Sequence, residues 1–472
     1  MNEIVNWLND VLWGNLLIYL LLGTGVLFTV RTKFIQFRHF GHMFSVMKSS
    51  RKCDASGISS FQALCTSLAA RVGTGNLAGV AVAVTLGGPG AVFWMWLIAL
   101  LGMATSFAES SLAQLYKVKD SDGNFRGGPS YYMEQGLGKR WMGVVFAICL
   151  IIAFGLVFNA VQANSIASAL HEAFGFEKYL VGIVLVIAAA LIIFGGIRSI
   201  ARFAELVVPV MALAYVVVAL LVVLANIQQM PEVFGLIFRS AFGFEEAGAG
   251  ALGAAMMNGI KRGLFSNEAG MGSAPNAAAT ATPYPPHPAS QGYVQMLGVF
   301  IDTVVICTAT AAIILLSHNE QLTGDGIALT QQALSGQVGA WGSYFVGIAI
   351  IFFAFTSIVG NYSYAETNLI FLEHNHKAGL WIFRLLVLAM VMVGAVVKID
   401  IIWNLADVSM GFMALVNLVA ILMLSGVVVK LASDYNRQLD AGKVPSFNSD
   451  EYPELKQQID KDIWSGSSKQ KA

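Results

Sequence analysis

Two runs of this chain place glycine and polar residues where lipid-facing apolar ones would be ordinary: Arg71-Val72-Gly73-Thr74-Gly75-Asn76 and Ser266-Asn267-Glu268-Ala269-Gly270-Met271-Gly272. Each interrupts an apolar stretch of membrane length. A membrane helix satisfies its own backbone, so unwound backbone at that depth persists only where it is buried in protein or lines a polar cavity. Carbonyls released at such a break can replace the hydration shell of a hard cation such as Na⁺. The amides that open the next half-helix can face a carboxylate. Two breaks, one in each half of the chain, predict the substrate and ion site of a secondary transporter built from inverted repeats.

Other polar residues inside apolar stretches carry open readings. Gly75 and Gly79 would also suit close helix packing, but packing leaves Thr74 and Asn76 unexplained, because polar side chains at the bilayer centre need each other, water or a ligand. Gly73, Gly75 and Gly79 do not make a dinucleotide fingerprint, since the spacing is wrong and no strand precedes them. Gln162 either bridges helices or contacts substrate or ion. Glu268 either attracts a substrate ammonium or cation, or pairs with Arg262 and holds the break open. Asp302 and Glu366 are each open between helix pairing and a ligand role. His39, His42, His374 and His376 lie in loops and turns and make no metal set. Trp94, Trp96, Trp141 and Trp341 near helix ends read as interface anchors.

These residues must be positioned by membrane helices. The 472 residues are 56% hydrophobic and 12% charged, with a formal net charge of 0. That composition is an integral membrane protein's, and without a basic patch or tail it gives nucleic acid no footprint. Cys65, Cys149 and Cys307 sit in apolar segments and Cys53 in a basic loop, so no disulfide framework is expected. The N-terminus lacks a basic region and a cleavage site, so the first apolar segment is expected to stay as a helix.

Stretches long enough to span lie near 11–31, 60–86, 89–117, 141–170, 179–197, 203–227, 249–280, 291–317, 341–372, 379–398 and 401–430, about 11 transmembrane helices in an all-α fold. Arg31, Lys33, Arg38, Lys48, Arg51, Lys52, Lys117, Lys119, Arg126, Lys139 and Arg140 crowd one side, against Lys178, Arg239 and Lys398 on the other. The basic side reads as cytoplasmic, placing the N-terminus outside and the C-terminus in the cytoplasm of a cell-membrane protein, the inner membrane in a bacterium. The expected divisions are an N-terminal helix and basic loop at 1–59, a first five-helix repeat at 60–227, a second at 228–432 with its preceding loop, and a polar tail at 433–472. Five is odd, so the repeats insert with opposite topology, and each opens on a discontinuous helix.

The segments Val72-Gly-Thr-Gly-Asn-Leu-Ala-Gly79, Gly87-Gly-Pro-Gly-Ala-Val-Phe-Trp-Met-Trp96, Arg126-Gly-Gly-Pro-Ser-Tyr-Tyr-Met133, Gly263-Leu-Phe-Ser-Asn-Glu-Ala-Gly-Met-Gly-Ser273 and Phe300-Ile-Asp-Thr303 resemble the alanine/glycine:cation symporter family over nearly the whole chain. The resemblance implies Na⁺- or H⁺-coupled uptake of alanine or glycine on the fold of the bacterial leucine transporter. Within that wider fold, Asn76 is similar to an Asn that binds sodium. Thr356 and Ser357 resemble paired hydroxyls that complete a second sodium site with backbone oxygens near Ala69 and Val72. Arg71 stands where a small residue is common, and so is expected to turn toward an acid such as Glu109 or Glu268. The candidate amino-acid pocket is Thr74, Gly75, Asn76, Gln162, Phe265, Ser266, Asn267, Glu268, Gly270, Met271 and Asn361, with Phe265 and Met271 as its wall. The candidate cation ligands are Ala69, Val72, Asn76, Thr356 and Ser357.

The expected function is symport of small neutral amino acids with Na⁺, or with H⁺, and no cofactor. The rivals are a channel and a membrane enzyme. An enzyme would need a nucleophile and base or a metal cluster on one face, and no His, Cys and Asp set offers one.

Overall fold

The computed structural model describes residues 2–49, 57–243, 249–317, 326–373, 377–397 and 399–464. Arg51, Lys52, Cys53, His374, His376 and Lys398 lie outside them. Every apolar stretch of membrane length is helical. Among the described residues eight helices are long and apolar enough to cross a membrane, and Ser60–Arg71 with Gly75–Gly87, bent by 52°, makes a ninth span. The remaining two stretches are the shorter helix Lys178–Ile193 and the helix Ala249–Asn267, which ends at the second break. Leu191, Leu206, Val210 and Leu213 stand exposed on the outer faces, as apolar side chains do where the solvent is hydrocarbon.

Local chemistry sets the ends of the broken helices. Ser59 caps Ser60–Arg71 by accepting the Gln62 amide at 3.1 Å, while Gln62 Oε1 accepts the Ser59 amide at 3.1 Å, so two donors that the first turn leaves free are satisfied reciprocally. Val72 departs from helical geometry at ψ 87°, and the chain re-enters through a π-helical turn at Gly75–Gly79. The second helix ends at Asn267, and Pro275 restarts it as the short helix Pro275–Ala279, a position where proline's missing N–H costs nothing.

A two-residue parallel pairing joins the breaks at one end. Ile58 is opposite Ala281 and Ser59 opposite Thr282, tying the segment that enters the first broken helix to the one that leaves the second. The Ala281 carbonyl also accepts Lys117 Nζ at 2.8 Å and Gln114 Nε2 at 3.0 Å. Around this core the helix Ala289–Val299 lies along Ala91–Leu115, and Phe158–Phe174 lies along Trp341–Glu373.

One expectation needs correction. Trp94 Nε1 donates to the Ala241 carbonyl at 3.2 Å and Trp96 Nε1 to Thr308 Oγ1 at 2.8 Å, so these indoles turn toward other helices, while Trp141 and Trp341 stay exposed. The polar tail packs back onto the body. After the helix Ser425–Asp440, Phe447 donates its amide to the Pro286 carbonyl at 2.9 Å, and Leu455, Ile459 and Trp464 are buried against the body.

Candidate substrate and cation site

At the first break, donors that a continuous helix would satisfy are met by side chains. The Gly73 amide donates to Asn76 Oδ1 at 2.9 Å, and Gln162 Oε1 accepts both the Thr74 amide at 3.0 Å and Thr74 Oγ1 at 2.7 Å. Gln162 thus reaches across from the helix Phe158–Phe174 to the unwound segment. A Cβ on Gly73 would lie 2.3 Å from Ser357 Oγ and 2.8 Å from Gln162 Oε1, so only glycine lets three elements meet here.

Beside it lie the paired hydroxyls. Ser357 Oγ donates to the carbonyls of Ala69 at 2.9 Å and Phe353 at 3.0 Å, and Thr356 Oγ1 lies 2.9 Å from Phe353 O and 3.4 Å from Ala69 O. All are buried. Hydroxyls that donate to carbonyls keep their lone pairs, so Ala69 O, Thr356 Oγ1 and Ser357 Oγ are an oxygen set a hard cation fits, next to the point where Val72 leaves the helix.

The two breaks are joined by an acid. Asp302 Oδ1 accepts Asn76 Nδ2 at 2.7 Å from the first broken helix, and its Oδ2 accepts Ser266 Oγ at 2.8 Å from the second and Thr303 Oγ1 at 2.7 Å. Cys307 Sγ lies 3.3 Å from Asn76 Nδ2 and 3.2 Å from Ser266 Oγ. Of the readings left open for Asp302, the structure shows it bridging both discontinuous helices, whereas Glu366 pairs with Arg126 at 3.2 Å. Phe265 stacks on Phe158 with centroids 4.7 Å apart and tilts against Trp403 at 4.8 Å. A Cβ on Gly75 would come within 3.0 Å of Phe265 Cδ1 and 3.1 Å of Ser266 Cα, so the two broken helices touch there.

The second break runs differently. Glu268, Gly270 and Gly272 have φ of 59°, 92° and 84°, the left-handed region that favours glycine. Asn267 Oδ1 accepts the Ala269 amide at 3.0 Å and its Nδ2 has no partner, while the Met271 amide donates to Glu268 O at 3.0 Å. Glu268 does not pair with Arg262. Its carboxylate accepts Ser273 Oγ at 2.6 Å, and Arg262 binds Asp407 at 2.7 Å, which also takes Lys261 at 2.9 Å. The Arg262 guanidinium lies 4.8 Å over Trp403, so Arg262, Trp403, Phe265 and Phe158 form one stack across the pocket.

Other expected residues lie apart from the Asp302 bridge. Asn361 Nδ2 donates to Asn159 Oδ1 at 3.1 Å, between two helices of the surrounding scaffold. Gly270 and Met271 lie within the strained turn, where Glu109 and Asn417 meet the Gly270 backbone. Arg71 does not pair with an acid. It donates to Gln295 O at 3.3 Å and Ser106 Oγ at 3.4 Å. Asp302, Glu109 and Asn417 are the participants sequence reasoning left outside the candidate site. The cost of an acid in a membrane span was the signal available for the first two.

The chain is similar to known proteins over nearly its whole length. The sodium:alanine symporter family model matches residues 1–449. The amino-acid carrier protein AlsT of Bacillus subtilis (strain 168) is 50% identical, with 96% of this chain and 96% of that protein covered. The sodium/alanine symporter AgcS of Methanococcus maripaludis is 40% identical, with 92% of this chain and 97% of that protein covered. A manganese transporter from Eremococcus coleocola shares the fold with a TM-score of 0.51 at 15% identity, covering 78% of each chain. That likeness is one of fold, an all-helical membrane bundle. With matches of this extent, the chain belongs to the sodium:alanine symporter family, as a multi-pass membrane transporter and not an enzyme.

Proposed function

We propose that this protein is a secondary active symporter that couples entry of Na⁺, or of H⁺ in its place, to uptake of small neutral amino acids, chiefly alanine and glycine, by alternating access. The N-terminus lies outside and the C-terminus in the cytoplasm. One observation carries the cation requirement. Glu109, Glu268 and Asp302 are each at most 1% exposed around the two breaks, and among the described residues none has a cation within 4.0 Å; Arg71 is the one guanidinium beside them. Buried acids that outnumber their basic neighbours are costly unless a cation or proton offsets them.

In this reading the substrate carboxylate meets the amides of the Thr74–Gly75 turn, and the ammonium faces Asp302 through the Asn76 and Ser266 side of the pocket. The aromatic stack of Phe158, Phe265 and Trp403 limits side-chain length. A cation at Ala69 O, Thr356 Oγ1 and Ser357 Oγ links the first broken helix to the Trp341–Glu373 helix, so its binding favours the conformation in which the pocket is formed. The names of the relatives AlsT and AgcS support the substrate class and the coupling ion.

The test is accumulation of labelled alanine in proteoliposomes at fixed pH under an inward Na⁺ gradient, with choline replacing Na⁺ as the control. Accumulation that follows Na⁺ is expected. Accumulation that follows a pH gradient without Na⁺ would make the proton the coupling ion. Flux that only runs down the alanine gradient would overturn symport and favour a channel.

A further inference from the structure

The second break, like the first, leaves backbone groups for side chains to meet. Gly270 sits at φ 92° in the middle of an unwound segment, and neither its N–H nor its C=O has an intrahelical partner. Unpartnered backbone groups at this depth are costly. Two side chains from distant helices meet them. Glu109 Oε1, on Ala91–Leu115, accepts the Gly270 N–H at 3.2 Å, and Asn417 Nδ2, on Ile399–Met423, donates to the Gly270 C=O at 3.0 Å. Asn417 Nδ2 also donates to Glu109 Oε2 at 2.8 Å, and the Tyr132 hydroxyl, on Pro129–Gln135, donates to Asn417 Oδ1.

The pattern of donors fixes what chemistry fits. Both oxygens of Glu109 face donors, so a carboxylate suits the position, and a glutamine would have to turn its NH₂ toward one of them. No Lys, Arg or His nitrogen among the described residues lies within 4.0 Å of this carboxylate, so ion pairing does not explain the acid. Asn417 packs directly against this turn, since a Cβ on Gly272 would lie 2.8 Å from its Cγ. Gly270 is four residues beyond Ser266, which touches the Asp302 bridge, so the shape of this turn sets where the pocket half of the helix ends.

We infer that Glu109 and Asn417 are positioning residues for substrate binding: together they hold the Gly270 peptide groups in the unwound geometry, and affinity for the amino acid depends on that geometry. The inference rests on the reading that the second break forms part of the pocket.

Alanine affinity and thermal stability are measured together on the purified full-length protein at saturating Na⁺. Glu109→Gln is expected to weaken alanine binding at least tenfold while the ligand-free melting temperature falls by only a few degrees. Asn417→Asp takes the donor away from the Gly270 C=O and is expected to weaken alanine binding as Glu109→Gln does, and combining the two is expected to add little further loss. Glu366→Gln, which breaks the ion pair with Arg126, is the structural reference: its melting temperature should fall with alanine affinity unchanged. If Glu109→Gln does not fold, Tyr132→Phe removes one hydroxyl from the same chain of bonds and is expected to weaken alanine about threefold. Wild-type affinity in Glu109→Gln, or in Tyr132→Phe where that variant is used, overturns the inference, as does an additive loss in the double variant. Failure of the unmodified protein to bind alanine would instead overturn the substrate reading on which it rests.

Discussion

Between Val72 and Gly79 the backbone leaves the α-helix without any residue entering the left-handed region, whereas between Glu268 and Gly272 three residues do so. The first break is served by neutral amide side chains, Asn76 and Gln162, each on one or two donors. The second is held by a carboxylate and an amide that share one another as well as the backbone. Neutral amides exchange partners at low cost, while a buried carboxylate satisfied by several donors is expensive to disturb. The first break is thus suited to trading its side-chain partners for substrate and cation, and the second to keeping its shape while that happens.

The largest expected effect comes from filling the contact between the breaks. Gly75→Leu should reach the membrane and lose alanine binding, because even its Cβ would crowd Phe265 and the Ser266 backbone. Its branched side chain has no room beyond them. Wild-type uptake by this variant would remove the first break from the site.

Next is a matched pair that compares the backbones directly. Gly272→Ala must hold an L-residue at φ 84° with its Cβ 2.8 Å from Asn417 Cγ and Pro129 Cγ, a cost of roughly 2 to 4 kcal/mol from backbone strain and overlap. Gly79→Ala meets nothing closer than the Thr74 carbonyl oxygen at 3.8 Å and should be neutral or stabilising by up to about 1 kcal/mol. Thermal melts in detergent read both. Equal losses would mean that the two breaks are equally constrained, contrary to the contrast drawn from their backbones.

A smaller effect is expected at the cation ligands. Ser357→Ala removes an oxygen that now lies 2.9 Å from Ala69 O, and should raise the half-saturating Na⁺ concentration by an amount worth about 1 to 3 kcal/mol. Apparent alanine affinity at saturating Na⁺ should change less. An unaltered Na⁺ dependence would place the cation elsewhere, with Asp302 the next position to test.

Much of this architecture was legible in the residues. Eleven apolar stretches could be drawn because a bilayer demands a minimum length, and both breaks showed themselves as glycine and polar residues inside such stretches. What was not legible is how acids and bases pair across the bundle. Arg262 could be matched with nearby Glu268, yet it binds Asp407, 145 positions away. Glu109 and Asn417 are 308 positions apart, and no local period marks two residues that meet only once the helices pack. Trp96 fits an interface anchor by its place near a helix end, but its indole N–H found Thr308 instead. Hydrophobic length reports on the lipid, which is the same for every chain. Polar pairing reports on one neighbour at a time.

The smallest effect should sharpen the contrast at the level of selectivity. Met271 is fully buried between the strained residues Gly270 and Gly272, and its amide donates to the Glu268 carbonyl, so a side-chain change there leaves the turn's backbone bonds in place. If the second break is a rigid wall, Met271→Ala should open space without altering the shape of the pocket. Each methylene admitted to an apolar pocket is worth about 0.8 kcal/mol, roughly a fourfold change in affinity. Valine and leucine should then compete for alanine uptake at several-fold lower concentrations than with the unmodified protein, while glycine and alanine compete as before. A uniform loss of affinity for all four amino acids would instead mean that this wall deforms, and that the division between an adaptable first break and a rigid second one is wrong.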